Sequence, residues 1–180
     1  MIDEQQLIIG AKNLDSKVLA NIYDIYSWEL YQYAYRQLGN EDFAEECVAE
    51  TFRRFLEILK RGKGPNNYLR AYLYRIAHNW ISDQYRKKSH QDLPLNMDIA
   101  DDDDLAPEKL VGLRFEQKRI REALLKLTPD QRQMIVLKFL QGWENPEIAR
   151  AMKRPVGAIK ALQHRALKAL RKILIDVEEE

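Results

Sequence analysis

The chain is expected to fold as two small all-α domains joined by a flexible acidic linker, with a helix-turn-helix in the C-terminal one. Three observations carry this expectation. Apolar residues recur at i, i+3, i+4 and i+7 through most of the 180 residues, and no segment alternates convincingly as a strand would. Ser89 to Pro107, SHQDLPLNMDIADDDDLAP, breaks every helical period and holds two prolines and the run Asp101 to Asp104, as a linker does. Asn145 to Arg165, NPEIARAMKRPVGAIKALQHR, reads as two short helices around a tight connector. The expected boundaries are a first domain at 1–88, a linker at 89–108 and a second domain at 109–180.

In the first domain, Leu19, Ile22, Tyr23, Tyr26, Leu30, Tyr33, Ala34 and Leu38 form one helical stripe that stops at Gly39. Asn40 can cap the next helix. Its first half holds Glu41, Asp42, Glu45, Glu46 and Glu50 and its second half Arg53, Arg54, Lys60 and Arg61, the order the helix dipole favours. Ala44, Cys47, Val48, Thr51, Phe52, Phe55 and Leu59 form its inward stripe. Gly62-Lys63-Gly64-Pro65-Asn66-Asn67 is a flexible basic loop. Leu69, Tyr72, Leu73, Ile76, Ala77 and Trp80 then mark a third helix running to about Lys88. Its other faces carry Arg70, Tyr74, Arg75, His78, Asn79, Ser82, Tyr85 and Arg86, with Asp83 the only acid. A basic, aromatic face of this kind can pair phosphates while stacking unpaired bases. It can equally supply the core and rim of a three-helix domain.

If extended at ~3.3 Å per residue, the linker reaches roughly 60 Å, nearly two turns of B-DNA at about 34 Å each. The two domains could therefore occupy separated DNA segments. Beyond the linker, Leu110, Leu113, Ile120, Leu124 and Leu127 give another helix, and Thr128-Pro129-Asp130-Gln131 is a capping-box start for the next, which Gly142 ends. Asn145 is the expected cap of the following short helix, with Pro146 in its first position and Glu147 where the dipole favours an anion. It ends near Met152. Lys153-Arg154 leads into Pro155, and Ile159, Leu162, Ala166, Leu167 and Leu170 then form the inward stripe of the last helix. Lys160, His164, Arg165, Lys168, Arg171 and Lys172 lie off that stripe. From Lys153 to Lys172 there is no Asp or Glu, although the chain balances 28 acids against 29 Lys and Arg. The acidic tail Asp176 to Glu180 reads as a solvated helix end.

That balance, a formal net charge of +1, excludes a generic polyanion binder and points to partners that differ from patch to patch. A hydrophobic content of 46% is ample for real cores and excludes disorder throughout. A single cysteine, Cys47, excludes an internal disulfide and a cysteine-rich zinc site, which fits the cytoplasm. With no leader and no apolar run near the ~18 residues of a membrane span, neither export nor membrane insertion is expected. His78, His90 and His164 are isolated, with no partner at i+4 and no Glu-x-x-His pair, so no metal site is expected. Gly62 and Gly64 do not make a phosphate loop, and Glu45, Glu46 and Glu50 lack the neighbours for acid-base chemistry. No catalytic residue, no cofactor and no enzymatic activity are expected.

Two blocks, in this order and at this separation, resemble the extracytoplasmic-function (ECF) sigma factors of bacterial RNA polymerase. AEECVAETFRRF at Ala44 to Phe55 and YLRAYLYRIAHNWISDQYRKK at Tyr68 to Lys88 are similar to that family's second conserved region. LTPDQRQMIVLKFLQGWENPEIARAM followed by VGAIKALQHRAL is similar to its fourth. The resemblance implies a dissociable promoter-specificity subunit with core RNA polymerase, duplex and single-stranded promoter DNA, and an anti-sigma factor as partners. It further implies that Asp42, Glu45, Glu46, Glu50 and Arg53 dock on polymerase. Lys63, Asn66, Asn67, Arg70, Arg75, Asn79, Arg86 and Lys87 would hold the opened minus-ten element. Arg154, Val156, Ala158, Lys160, Ala161, His164, Arg165 and Lys168 would read the minus-thirty-five duplex. The linker would thread the polymerase's nucleic-acid channels.

Ala49 stands where the family has Gln, His78 where it has Arg, Ala161-Leu162-Gln163 where it has Ser-Arg-Leu, and Pro155 where it has a capping Ser. Apart from the resemblance, two other functions fit the residues. One is a stand-alone regulator that binds duplex operators through the helix-turn-helix without polymerase. The other is a helical adaptor that binds no nucleic acid.

Overall fold

The structure, a computed structural model, describes residues 3–89 and 108–178, and every regular element among them is helical. All but the ends of the expected linker lies outside the described residues. Two helical bodies form. The first contains an element the periodicity did not reveal, α1 (Glu4–Lys12), started by Asp3, whose carboxylate accepts from the Gln5 amide at 3.2 Å. Leu7, Ile8 and Ala11 are its buried face. α2 (Ser16–Leu38) follows, with the Asp15 carboxylate accepting from Lys17 and Val18, and ends on Gly39 at φ +68°. Asn40 caps α3 (Glu41–Lys60) through Phe43 N–H at 2.9 Å, as the sequence predicts. α4 spans Leu69–Ser89. The core between them is Ile22, Leu30, Tyr33, Ala34, Ala44, Cys47, Phe55, Leu59, Leu73, Ala77 and Trp80. Tyr23, placed on the inward stripe by its spacing, is instead exposed and rests against Phe52 with ring centroids 4.8 Å apart.

The second body is α5 (Glu108–Lys126), α6 (Pro129–Ile135), a π turn at Val136–Leu140 that continues it, α7 (Asn145–Met152) and α8 (Val156–Glu178). The capping box at Thr128 forms as predicted, its hydroxyl accepting from Gln131 N–H while Gln131 accepts from Thr128 N–H. At α7 the cap is Glu144, not Asn145, because the Glu147 carboxylate reaches back to the Glu144 amide at 2.9 Å. Asn145 is already helical and binds Gln163 of α8 instead. Pro155 likewise precedes the first turn of α8, its carbonyl accepting from Ile159 N–H at 3.1 Å. Ile159, Leu162 and Ala166 are buried as expected, whereas Leu167 and, on α5, Ile120 lie at the surface. Leu110 and Leu113 fall outside the described side chains.

The linker's reach would let the bodies sit apart, yet they are packed together, because α4 has a second apolar face. Tyr74, fully buried, lies between Tyr33 of its own body and Trp143 of the other, with centroids at 5.0 and 4.6 Å. Such aromatic pairs add about 1 kcal/mol each beyond the area they bury. The Tyr74 hydroxyl donates to Gln141 at 2.8 Å, and Gln141 donates in turn to the Glu29 carbonyl.

Arg132 on α6 fixes a second point. Its buried guanidinium donates to the carbonyls of Leu124, Leu125 and Leu127, where α5 ends, and to that of Gln37, where α2 ends. Tyr85 of α4 lies under the same guanidinium. A cation is tolerated there because it meets the unpaired carbonyls and negative dipole ends of two helices.

Candidate nucleic-acid interface

The last two helices are joined by Lys153 in the left-handed region at φ +51° and by Arg154, and this turn sets the start of α8 on the surface. The inward side is taken by Ile159, Leu162 and Ala166. Val156, Ala158, Lys160, Ala161, His164, Arg165 and Lys168 are all exposed on the helix's remaining circumference. Arg154 is exposed too, but its guanidinium is paired with Asp130. The arrangement is a basic helix face of major-groove dimensions, with backbone and apolar groups interleaved among its cations.

The predicted minus-ten residues divide into two groups. Lys63, Asn66 and Asn67 stand exposed on the loop, where Gly62 and Gly64 adopt φ +70° and +139°, values open to glycine. Arg86 and Lys87 are exposed at the far end of α4. Between these ends, Arg70 and Arg75 are half-buried against the second body, and Asn79 is exposed at its edge. Arg70 pairs with Glu29 at 3.0 Å, approaches Glu147 and lies over the Trp143 ring at 4.5 Å. Arg75 and Asn79 line a cleft of about 200 Å³ with His78, Asp130, Lys153 and Arg154. The middle of α4 therefore holds no free strand-binding groove in this arrangement.

His78, which stands where the family has Arg, is a largely enclosed neutral side chain. Its Nδ1 lies 3.0 Å from the Tyr33 hydroxyl, and burial holds its pKa down to about 4. The nearby Arg132 and Arg154 cations act in the same direction, against Asp130. Cys47 is buried beneath α4, its thiol pushed up to about 12 by desolvation, and is a core residue as expected.

The third predicted set lies on the outer side of α3. Asp42, Glu45, Glu46 and Arg53 are exposed and Glu50 half-buried. Hydrogen bonding to Arg53 at 2.8 Å holds the Glu50 carboxyl below the usual carboxylate range, and Arg53 also binds Glu57 at 2.6 Å. Beside this face lies a surface the sequence reading missed. Trp28, 64% exposed, stacks on Tyr31 at 5.4 Å, and Tyr31 on Tyr35 at 6.2 Å, along the outside of α2. Tyr23, Trp28, Tyr31, Glu45, Val48 and Ala49 border a shallow groove of about 560 Å³. The signal was available, since Trp28, Tyr31 and Tyr35 repeat at helical spacing off the core stripe. Ala49, in the place of Gln, forms part of the groove wall.

Among the described residues no group of His, Cys, Asp and Glu is placed to hold a metal ion, and no helix is long and apolar enough to cross a membrane.

The chain matches the Sigma-70 region 2 family over residues 22–91 and the Sigma-70, region 4 family over residues 117–170. It is 34% identical over 178 residues to the ECF RNA polymerase sigma factor SigW of Bacillus subtilis, covering 92% of this chain and 94% of that one. It is 30% identical over 173 residues to the ECF RNA polymerase sigma factor BldN of Streptomyces coelicolor, covering 95% of this chain but only 66% of that longer relative. Among solved structures, CnrH, in complex with the cytosolic domain of CnrY, shares the fold with a TM-score of 0.72 at 24% identity, covering 96% of this chain and 97% of that one. RpoE of Bartonella quintana, in complex with the anti-sigma factor NepR, shares it with a TM-score of 0.64 at 22% identity, covering 86% and 95% of the two chains.

Proposed function

The chain belongs to the ECF sigma factors, promoter-specificity subunits of bacterial RNA polymerase, and from that premise we propose a division of labour among its three surfaces. Arg154 in the turn, with Val156, Ala158, Lys160, Ala161, His164, Arg165 and Lys168 on the exposed face of α8, reads minus-thirty-five duplex. The loop 62–67 and α4, through Lys63, Asn66, Asn67, Arg70, Arg75, Asn79, Arg86 and Lys87, hold the opened minus-ten strand. Asp42, Glu45, Glu46, Glu50 and Arg53 of α3 dock on polymerase. The domain limits are those of the sequence, 1–88 and 109–180, with the acidic segment 89–108 threading the enzyme between them.

The observation that carries the proposal is the separation of charge in space. The acid-free face of α8 and the acidic face of α3 are both open to solvent on different bodies, so one chain can hold DNA and a basic partner surface at once. Energy also favours a subunit over a solitary regulator. Opening about ten base steps costs on the order of 14 kcal/mol at about 1.4 per step. Non-specific binding by a small basic domain supplies only about 5 to 8 kcal/mol. Polymerase must share that cost, and capture of one or two flipped bases, at a few kcal/mol each, is the share the loop and α4 can carry.

For α4 to accept a strand along Arg70, Arg75 and Asn79, α7 has to leave it. The packed arrangement is thus the DNA-free form of the subunit, and an anti-sigma factor is a partner that would prolong it.

The test is run-off transcription from fragmented genomic DNA by core polymerase with and without the chain, the transcript starts being sequenced. Starts that need the chain and share two upstream motifs are expected. No new starts from a folded chain would overturn the proposal.

A further inference from the structure

We infer that α1 is a positioning element for the loop 62–67, and through the loop for base choice at the minus-ten element. The inference rests on the role given to that loop above.

The loop leaves α3 at Gly62 and enters α4 through Tyr68, which sits at φ +54°, a conformation costly for a side chain of this size. Tyr68 has no oxygen placed as an N-cap, so the first amides of α4 need an acceptor from elsewhere. Glu4 of α1 supplies it, its Oε1 accepting from Leu69 N–H at 2.8 Å across 65 positions of sequence. Its negative charge also lies at the positive end of the α4 dipole. Two further bonds from α1 reach Asn66, one of the two Asn residues assigned to the strand. Lys12 Nζ donates to its Oδ1 at 2.5 Å and Gln5 Nε2 to its carbonyl at 3.5 Å.

The loop backbone also passes close enough that a Cβ at Gly64 would stand 3.0 Å from Leu59 Cδ2 and 4.0 Å from Lys12 Cε. α1 is firm enough to serve as a support. Leu7, Ile8 and Ala11 are buried, and a Cβ at Gly10 would meet Val18 Cγ2 at 2.6 Å, so α1 lies directly on α2.

A loop that captures a flipped base loses affinity to the extent that it must first be ordered. Here Leu69, the first residue of α4 after the loop, and Asn66 within the loop are both tied to one short helix that bears none of the residues assigned to DNA or polymerase. Glu4 acts at a half-buried position and ought to matter more than Lys12, whose contact is exposed and screened.

The experiment uses the full chain with core polymerase on promoters carrying each of the four bases at every minus-ten position. Initial transcription rate, polymerase affinity and binding to minus-thirty-five duplex are measured in parallel. Glu4→Ala is expected to reduce discrimination between the best and next-best base about fivefold, the factor that corresponds to a lost cap, and Lys12→Met about twofold. Polymerase affinity and duplex binding stay at the wild-type level. Glu4→Gln keeps an acceptor oxygen and restores discrimination.

Unchanged discrimination in Glu4→Ala overturns the inference, as does a uniform loss on all promoters accompanied by lower polymerase affinity, which is a folding effect. Asn66→Ala and Asn67→Ala separate the two levels. If neither alters base preference, the assignment of the loop fails and takes the inference with it. If they alter it and the α1 variants do not, only the inference falls.

Discussion

Helices α3 and α4 lie side by side in one body, and each carries a charged face away from its core, yet the two faces have opposite fates. On α3, Asp42, Glu45, Glu46 and Arg53 are open to solvent, with the Trp28–Tyr31–Tyr35 ladder beside them. On α4, Arg70 is taken up by Glu29 and Trp143, Tyr74 is fully buried, and Arg75 and Asn79 look into the cleft beneath α7. The difference lies in the residues between the charges. α4 interleaves large aromatics with its cations, so it can bury a second face. On the outer side of α3, charged side chains alternate with Ala49, which offers little area to cover. An acidic face open to solvent thus coexists with a basic one whose middle is covered, and the proposed roles require the second to be uncovered before it meets DNA.

The largest effects expected from breaking this contrast come from charge reversal on the two open faces. Lys160→Glu with Arg165→Glu should lower promoter selection about a hundredfold while sparing polymerase affinity. Glu46→Lys with Glu50→Lys should weaken polymerase binding about tenfold while sparing duplex binding. Equilibrium titration of labelled chain with polymerase and with duplex separates the two, and crossed effects would refute the division of labour.

Acidification probes the covered face. His78 has its pKa lowered to about 4 in the folded chain, chiefly by burial, against 6.5 in the unfolded one. The unfolded state therefore binds the proton more readily. The stability tied to neutral His78 is complete above pH ~6.5 and is lost as pH falls toward ~4, by up to about 3 kcal/mol. Denaturant unfolding across that range should show the slope in wild type and lose most of it in His78→Gln. An unaltered slope would remove His78 from the account.

A smaller change sharpens the comparison. Tyr74→Phe keeps the ring but deletes the hydrogen bond to Gln141. At about 1 kcal/mol for such a bond, the open population should rise about fivefold, and binding of the free chain to single-stranded minus-ten DNA should rise with it. Unchanged or weaker strand binding would mean that the α4 contact does not limit access.

The helices α2 to α4 and the helix-turn-helix were legible because each buries one stripe at helical spacing and carries local start and stop signals at Asn40, Gly39, Thr128 and Gly142. α1 was not, since nine residues with Leu7, Ile8 and the exposed Ile9 in a row give no clean stripe. Leu167 and Ile120 kept the period but lie where no neighbour covers them. The packing of the two bodies could not be read either. A Tyr on the far face of a basic helix has the same spacing whether it meets solvent, a base or Trp143, and the carbonyls that bind Arg132 carry no side-chain signature.

The most direct test of the account is the distance between the two bodies, measured by energy transfer or by paired spin labels. Cys47 is the only cysteine and is buried, so labels can be placed selectively through Lys60→Cys and Lys172→Cys, both at exposed positions. The account predicts one short-distance population in the free chain and a longer one when core polymerase and promoter DNA are bound. A distance that stays short in a complex actively transcribing, or one already long in the free chain, would contradict it.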